Sequence, residues 1–102
     1  MNNLSYFKCQ TLIAKGRNGQ KKLANNTYLI DCSQYGYFRL TLHGNTIMTI
    51  YPDKTVYSSC GWKTNTTKKR LNKYSLLGIY QKNYVWYYAD KKEFIDNLTI
   101  YN

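Results

Sequence analysis

The chain has little acid. Five Asp and Glu face fifteen Lys and Arg in 102 residues, a net charge of +10 at pH 7. It also has a single proline, a single histidine and no apolar run longer than a few residues, Leu12-Ile13-Ala14 being typical. Nothing approaches the ~20 consecutive apolar residues that cross a bilayer as a helix, which argues against a membrane role. Lys8 and Gln10 interrupt the N-terminal stretch from Met1 to Ala14 where a signal-peptide core would lie, so the expected location is cytoplasmic. Cys9, Cys32 and Cys60 are odd in number and widely spaced, unlike the even, close sets of secreted disulfide scaffolds. Lacking a C-x-x-C pair and a second histidine, they make no zinc site, and the expectation is three reduced thiols, no metal and no cofactor. Paired carboxylates, a G-x-S-x-G elbow and a phosphate-binding P-loop are absent too, which removes the common hydrolase and NTPase classes.

What is present suffices for one core. Hydrophobic residues make up 43% and aromatic residues 17%, and a chain of this size folds as a single domain that buries roughly two-thirds of its unfolded surface. Residues 1–102 are therefore read as one domain, with 1–22 as a strand plus a mobile basic loop.

The positive charge has two sources. Twelve Lys, eleven Asn and twelve Tyr are all specified by A/T-rich codons, so part of the +10 reflects composition of the genome. That bias does not deplete Asp and Glu, and it does not decide where charge sits. Met1 to Ile30 and Lys54 to Ala89 contain no acidic residue; the acids are Asp31, Asp53, Asp90, Glu93 and Asp96. Such segregation favours a surface with a strongly positive region.

Period-two patterning dominates the chain. Tyr6 to Ile13 reads as a strand with Phe7, Cys9, Thr11 and Ile13 on one side, followed by a polar loop from Lys15 to Lys22. Thr27 to Cys32 alternates through Tyr28, Ile30 and Cys32. Tyr37 to His43 places Phe38, Leu40 and Leu42 inward and Tyr37, Arg39, Thr41 and His43 outward. Gly44-Asn45 suits a two-residue hairpin turn into Thr46 to Tyr51. Pro52-Asp53-Lys54 turns the chain into Thr55 to Cys60, and Tyr80-Gln81 and Tyr84 to Ala89 form a last hairpin around Lys82-Asn83. One helix is predicted near 66–77: Thr64, Asn65 and Thr66 offer N-caps, Leu71, Tyr74 and Leu77 fall on one side, and Gly78 stops it. The fold class is α+β, an antiparallel meander of about five to seven strands with one packed helix.

That helix breaks a folding rule. Lys68, Lys69 and Arg70 occupy its first turn and Lys63 precedes it, although a helix N-terminus carries partial positive charge and favours Asp or Glu. Cations, free first-turn N–H groups and the hydroxyls of Thr66 and Thr67 together suit phosphate. Trp62 adjoins them and can stack on a base. A merely solvated lysine face on a Lys-rich chain is the competing reading. The candidate nucleic-acid or phosphate-binding set is Lys63, Thr66, Thr67, Lys68, Lys69, Arg70, Lys73 and Trp62, with Arg39 and His43 completing the surface.

The stretches Leu23-Ala24-Asn25-Asn26-Thr27-Tyr28-Leu29, Leu42-His43-Gly44-Asn45-Thr46-Ile47, Gly61-Trp62-Lys63-Thr64-x-Thr66-Thr67-Lys68-x-Arg70-Leu71-Asn72 and Val85-Trp86-Tyr87 resemble a family of small proteins encoded by bacteriophages, prophages and related bacterial genomes. The likeness spans about residues 23–100 and is most specific between Gly61 and Asn72, where the family tends to have Arg at the position of Lys63. It implies a phage-type context and no particular activity. Leu42-His43-Gly44-Asn45-Thr46 is also similar to the H-x-T element of two-histidine phosphodiesterases, but those carry it twice and without the inserted residue. No catalytic residue is expected.

The sequence thus points to a small, basic, non-enzymatic binding protein. Its expected partner is nucleic acid, or a host ribonucleoprotein or other nucleic-acid-loaded complex, as for a host-defence inhibitor of the anti-CRISPR kind. The alternatives are a protein-directed inhibitor that binds a host defence protein, or a structural phage component, either using tyrosines such as Tyr84 and Tyr88 as anchors, and a sponge for a signalling nucleotide.

Overall fold

The computed structural model describes residues 4–101. In chain order the elements are α1 (Tyr6–Ala14), β1 (Gln20–Ala24), β2 (Thr27–Cys32), β3 (Tyr37–Leu42), β4 (Asn45–Ile50), β5 (Lys54–Tyr57), α2 (Asn65–Lys73), β6 (Tyr80–Lys82), β7 (Val85–Tyr88), β8 (Lys92–Glu93) and β9 (Leu98–Tyr101). The architecture is α+β. Strands β1-β2-β3-β4-β5-β9 form one antiparallel sheet in that order, and β6-β7-β8 form a second, three-stranded one.

The central strands form because alternating apolar residues can be buried on one face. Register pairs Leu29 with Leu40, Leu40 with Met48, Met48 with Tyr57 and Tyr57 with Leu98, so one face of the large sheet is apolar across five strands. Leu71 and Tyr74 from the α2 region, Cys9 from α1, and Trp86 and Phe94 from the small sheet and its flank complete the core over this face. Each fully buried side chain of this size contributes about 1.5–3 kcal/mol. Among the described residues no helix is long and apolar enough to cross a membrane.

Tyr6 to Ile13 is a helix and not a strand. Its alternation through Phe7 coexists with helical spacing of Tyr6, Cys9, Leu12 and Ile13, and the helical set is the one that packs on the core. Phe7 is left exposed. Ser5 caps the helix by accepting the Lys8 N–H at 3.1 Å, and Tyr6 packs edge-on to Phe38. The chain then turns so tightly that a Cβ on Gly16 would overlap the Gln20 carbonyl oxygen. The expected basic loop is in fact partly strand, since Lys21 and Lys22 lie in β1 at the sheet edge, where lysines guard against edge-to-edge association.

Four further details depart from expectation. In β2 the buried residues are Thr27 and Leu29, while Tyr28, Ile30 and Cys32 share the other face. An extra residue, Ile47, bulges from β4 opposite the Leu40–Thr41 step, so Ile47 and Met48 are buried in succession, while β3 keeps its alternation against β2 and Thr41, opposite Tyr28, is buried as well. The following turn is His43-Gly44, one residue earlier than expected, because Leu42 pairs with Asn45 and both turn residues have positive φ. Helix α2 ends at Lys73, short of Leu77: the Ser75 hydroxyl donates to the Leu71 carbonyl at 2.6 Å, and the Asn72 amide pairs both backbone groups of Ile79. Leu77 is buried all the same.

All three cysteines are free. Burial removes Cys9 from solvent and pushes its thiol up to about 12, whereas Cys60 is exposed. Because thiolate is the reactive form, a disulfide-exchange reagent at pH 8 should label Cys60 rapidly and Cys9 only on unfolding. Mass spectrometry of timed samples checks the order; early labelling of Cys9 would contradict the packing of α1. The unfolded thiol ionises near 9 and the folded one near 12, so Cys9 favours the fold below pH 9 and that contribution falls as pH rises toward 12.

Candidate functional site

The segment that presents the candidate residues is built outward from an acid. The Asp96 carboxylate accepts the Ser59 N–H at 2.8 Å and the Ser59 hydroxyl at 2.8 and 3.1 Å. Ser59, almost fully buried, opens a tight turn in which Cys60 and Gly61 both have positive φ and Trp62 N–H donates to the Ser59 carbonyl. That turn projects Trp62, which is 63% exposed. Replacing Asp96 by Ala should cost about 2–3 kcal/mol, because it leaves a buried N–H and hydroxyl unpaired. Urea denaturation checks this; a loss below about 0.5 kcal/mol would contradict it.

Thr64 then caps α2. Its hydroxyl accepts the Thr67 N–H at 3.2 Å and lies 3.1 Å from the Thr67 hydroxyl. The first helical bond runs from Lys68 N–H to the Thr64 carbonyl, so the N–H groups of residues 65 and 66 have no partner within the helix. The first turn contains no acid, but of the three cations expected in it only Lys68 lies there, because the helix starts earlier, at Asn65; Lys69 follows it, and Arg70 and Lys73 fall in the last turn, where the dipole favours them. Lys63, Thr66, Lys69 and Lys73 are exposed, Lys68 and Arg70 half-buried, and Thr67 buried. Among the described residues no Lys or Arg forms an ion pair with a carboxylate. Arg70 is partly committed to the fold, its Nε donating to the Thr27 hydroxyl at 2.9 Å. The Lys73 ammonium lies 5.6 Å from the centre of the Tyr74 ring.

Trp62, Thr66, Thr67 and His43 share one feature, a cleft of about 480 Å³ floored by Leu42 and Ile47. The lysines stand outside it, on the helix. Arg39 is separated from this group. It lies on β3 between the inward residues Phe38 and Leu40, so it projects from the opposite face of the sheet, where its guanidinium donates to Thr46 at 2.9 Å. His43 does not share that face, because it lies beyond β3 in the turn, with a positive φ, and lines the cleft.

His43 has a conformational role that the sequence did not reveal. It is the first residue of the β3–β4 turn, with φ of 52°, and its N–H donates to the Asn26 carbonyl at 2.8 Å. Asn and Gly suit such turns and β-branched residues do not. His43→Asn should therefore keep or slightly raise stability, while His43→Val should lose about 1–2 kcal/mol. Thermal melts of the two variants check the difference, and equal stability would contradict it. Of the tyrosines expected as anchors, Tyr84 is 93% exposed, whereas Tyr88 packs against the core.

Across residues 7–101 the chain matches the family model described as Kyanoviridae Gp96 protein. No curated protein and no solved structure matches it. The family is phage-encoded, and with nearly the whole chain inside the match, this protein belongs to the Kyanoviridae Gp96 protein family.

Proposed function

We propose that the protein is a non-enzymatic binding protein that acts in the host cytoplasm on nucleic acid or a nucleic-acid-loaded host complex, as an anti-CRISPR-like inhibitor of host defence does. The observation that carries this reading is the unneutralised charge at α2. Lys63, Lys68, Lys69 and Lys73 stand in a stretch, Lys54 to Ala89, that contains no acid, beside a tryptophan held out by a braced turn. Cations at a helix start, here Lys63 and Lys68, cost about 0.3–1 kcal/mol each, a cost that a phosphate backbone reverses. Thr66 and the residual N–H groups of the Arg70 guanidinium would add hydrogen bonds to phosphate oxygens, and Trp62 a stacking surface.

Recovery of the tagged protein from a bacterial lysate, with and without nuclease, tests it. Co-purifying nucleic acid that disappears with nuclease is the expected result; a protein partner retained equally in both arms favours a protein-directed inhibitor. That second reading has its own support in Tyr84, which is almost fully exposed at a hairpin tip. Under it, replacing Lys68, Lys69 and Arg70 by Ser leaves partner capture intact.

A further inference from the structure

The large sheet has a second face, and the core does not use it. Tyr28, Ile30, Tyr37, Tyr51 and Val56 are half-buried, yet none belongs to the hydrophobic core or to the residues packed against it. Both helices and the small sheet contribute their apolar residues to the other side. The register orders this open face into rows. One row runs from Lys22 through Tyr28 to Thr41. The next holds Ile30, Arg39, Thr49, Val56 and Thr99. At the far end Tyr37 meets Tyr51 with ring centroids 5.5 Å apart, and the Lys54 ammonium lies over both Tyr51 and Tyr101.

Two features distinguish this face from an ordinary wet sheet surface. None of its strand positions is acidic; Asp53 lies only in the turn at its margin. It also opens, beside Tyr28, onto a depression lined by Lys15, Arg17, Lys21 and Lys22, again with no acid. Cations therefore stand at one end, in the centre at Arg39, and at the other end at Lys54, with tyrosines between them.

We propose that this face is a stacking platform for single-stranded nucleic acid, entered at the Lys15–Lys22 depression. The proposal rests on the nucleic-acid reading above and names the form of the ligand and a second surface, distinct from α2. Flat aromatic side chains on an open sheet accept unpaired bases without reading their sequence, while neighbouring cations follow the phosphates. The Tyr28 and Tyr37 rows are four residues apart, about 14 Å at the usual strand rise, room for two or three stacked nucleotides. A duplex hides its base faces and would gain only the charge.

The test is binding of fluorescein-labelled twelve-residue oligo-dT and oligo-rU, and of a blunt duplex, to the full chain at fixed salt. Tyr28→Ala/Tyr37→Ala should weaken binding to the single strands by about 30-fold or more, at roughly 5-fold or more per stacked base lost, and leave duplex binding within a factor of about two. Tyr28→Phe/Tyr37→Phe should bind like the parent, because the ring is kept. The ratio of dT to rU affinity separates DNA from RNA as the ligand. Should the alanine variant fold poorly, ultraviolet crosslinking of the parent protein to oligo-dT or oligo-rU supplies the answer, with adducts expected on Tyr28, Tyr37 or Tyr51. Unchanged single-strand affinity in a folded alanine variant, crosslinks confined to Trp62 and α2, or burial of the face between two copies in solution would overturn the platform while leaving the nucleic-acid reading standing. Loss of all binding to DNA and RNA in the parent would overturn both.

Discussion

Replacing Lys63, Lys68 and Lys69 by Glu lowers affinity for nucleic acid by a factor of about 100 to 500 at 0.1 M salt, and does so while making the fold more stable. The first part follows from counterion release: each phosphate contact is worth about 0.7–0.9 log units between 1 M and 0.1 M salt, and three contacts are removed. The second part follows from the helix dipole. Lys68 closes the first turn of α2, which has no acid, and Lys63 stands just before the N-cap; Glu at these two sites gains about 0.3–1 kcal/mol each where Lys loses it, and the effect fades by Lys69. A solvated lysine face with no ligand predicts the gain in stability alone. Binding isotherms and urea curves on one preparation separate the two accounts, and unchanged affinity in the more stable variant would contradict the role assigned to α2.

The second large effect is on the fold. Trp86 is completely buried between the sheets' shared core and Phe94, whose ring centroid is 5.7 Å away. Trp86→Ala should cost about 3–5 kcal/mol through lost burial and the cavity left behind, a large part of the 5–15 kcal/mol that holds a typical domain together. Its indole Nε1 has no hydrogen-bond partner, a liability of about 1–3 kcal/mol that the protein carries already. Trp86→Phe removes that liability while surrendering part of the ring, so its loss should be far smaller, below about 2 kcal/mol. The midpoint of urea unfolding measures both. Equal losses for Ala and Phe would show that the N–H is not the liability inferred here.

Much of the framework was legible because local and long-range preferences agree. Phe38, Leu40 and Leu42 alternate and are buried, and Thr64, Leu71 and Tyr74 announce α2 by cap and by stripe. The failures have physical causes. The α1 residues satisfy both periods at once, and only packing of Tyr6 and Cys9 on the sheet chooses between them. β1 hid behind lysines suited to a sheet edge. β9 pairs with β5 across some forty residues of chain, a closure that no local pattern signals.

The site divides the same way. The cation cluster at α2 was visible as a run in sequence. The cleft that Trp62 and His43 line was not, because the turn that holds Trp62 depends on the Ser59–Asp96 bond across 37 residues. Arg39 and His43 part company for a related reason: alternation places both on one face, but β3 ends at Leu42 and His43 takes a positive φ in the turn, beyond the reach of the strand's alternation. The acids were few but placed: Asp31 accepts the Ser33 N–H at 2.8 Å and Asp96 secures Ser59, so two of them serve the backbone and leave the cations unopposed.

The central claim is that this phage protein's positive surface engages a phosphate backbone. The most direct measurement is the equilibrium constant for a labelled oligonucleotide at several salt concentrations. Four contacts, from Lys63, Lys68, Lys69 and Lys73, predict a log–log slope of about −3 for single strands and about −3.6 for duplex. No measurable binding to DNA or RNA at low salt, or binding with a slope near zero, would contradict the account.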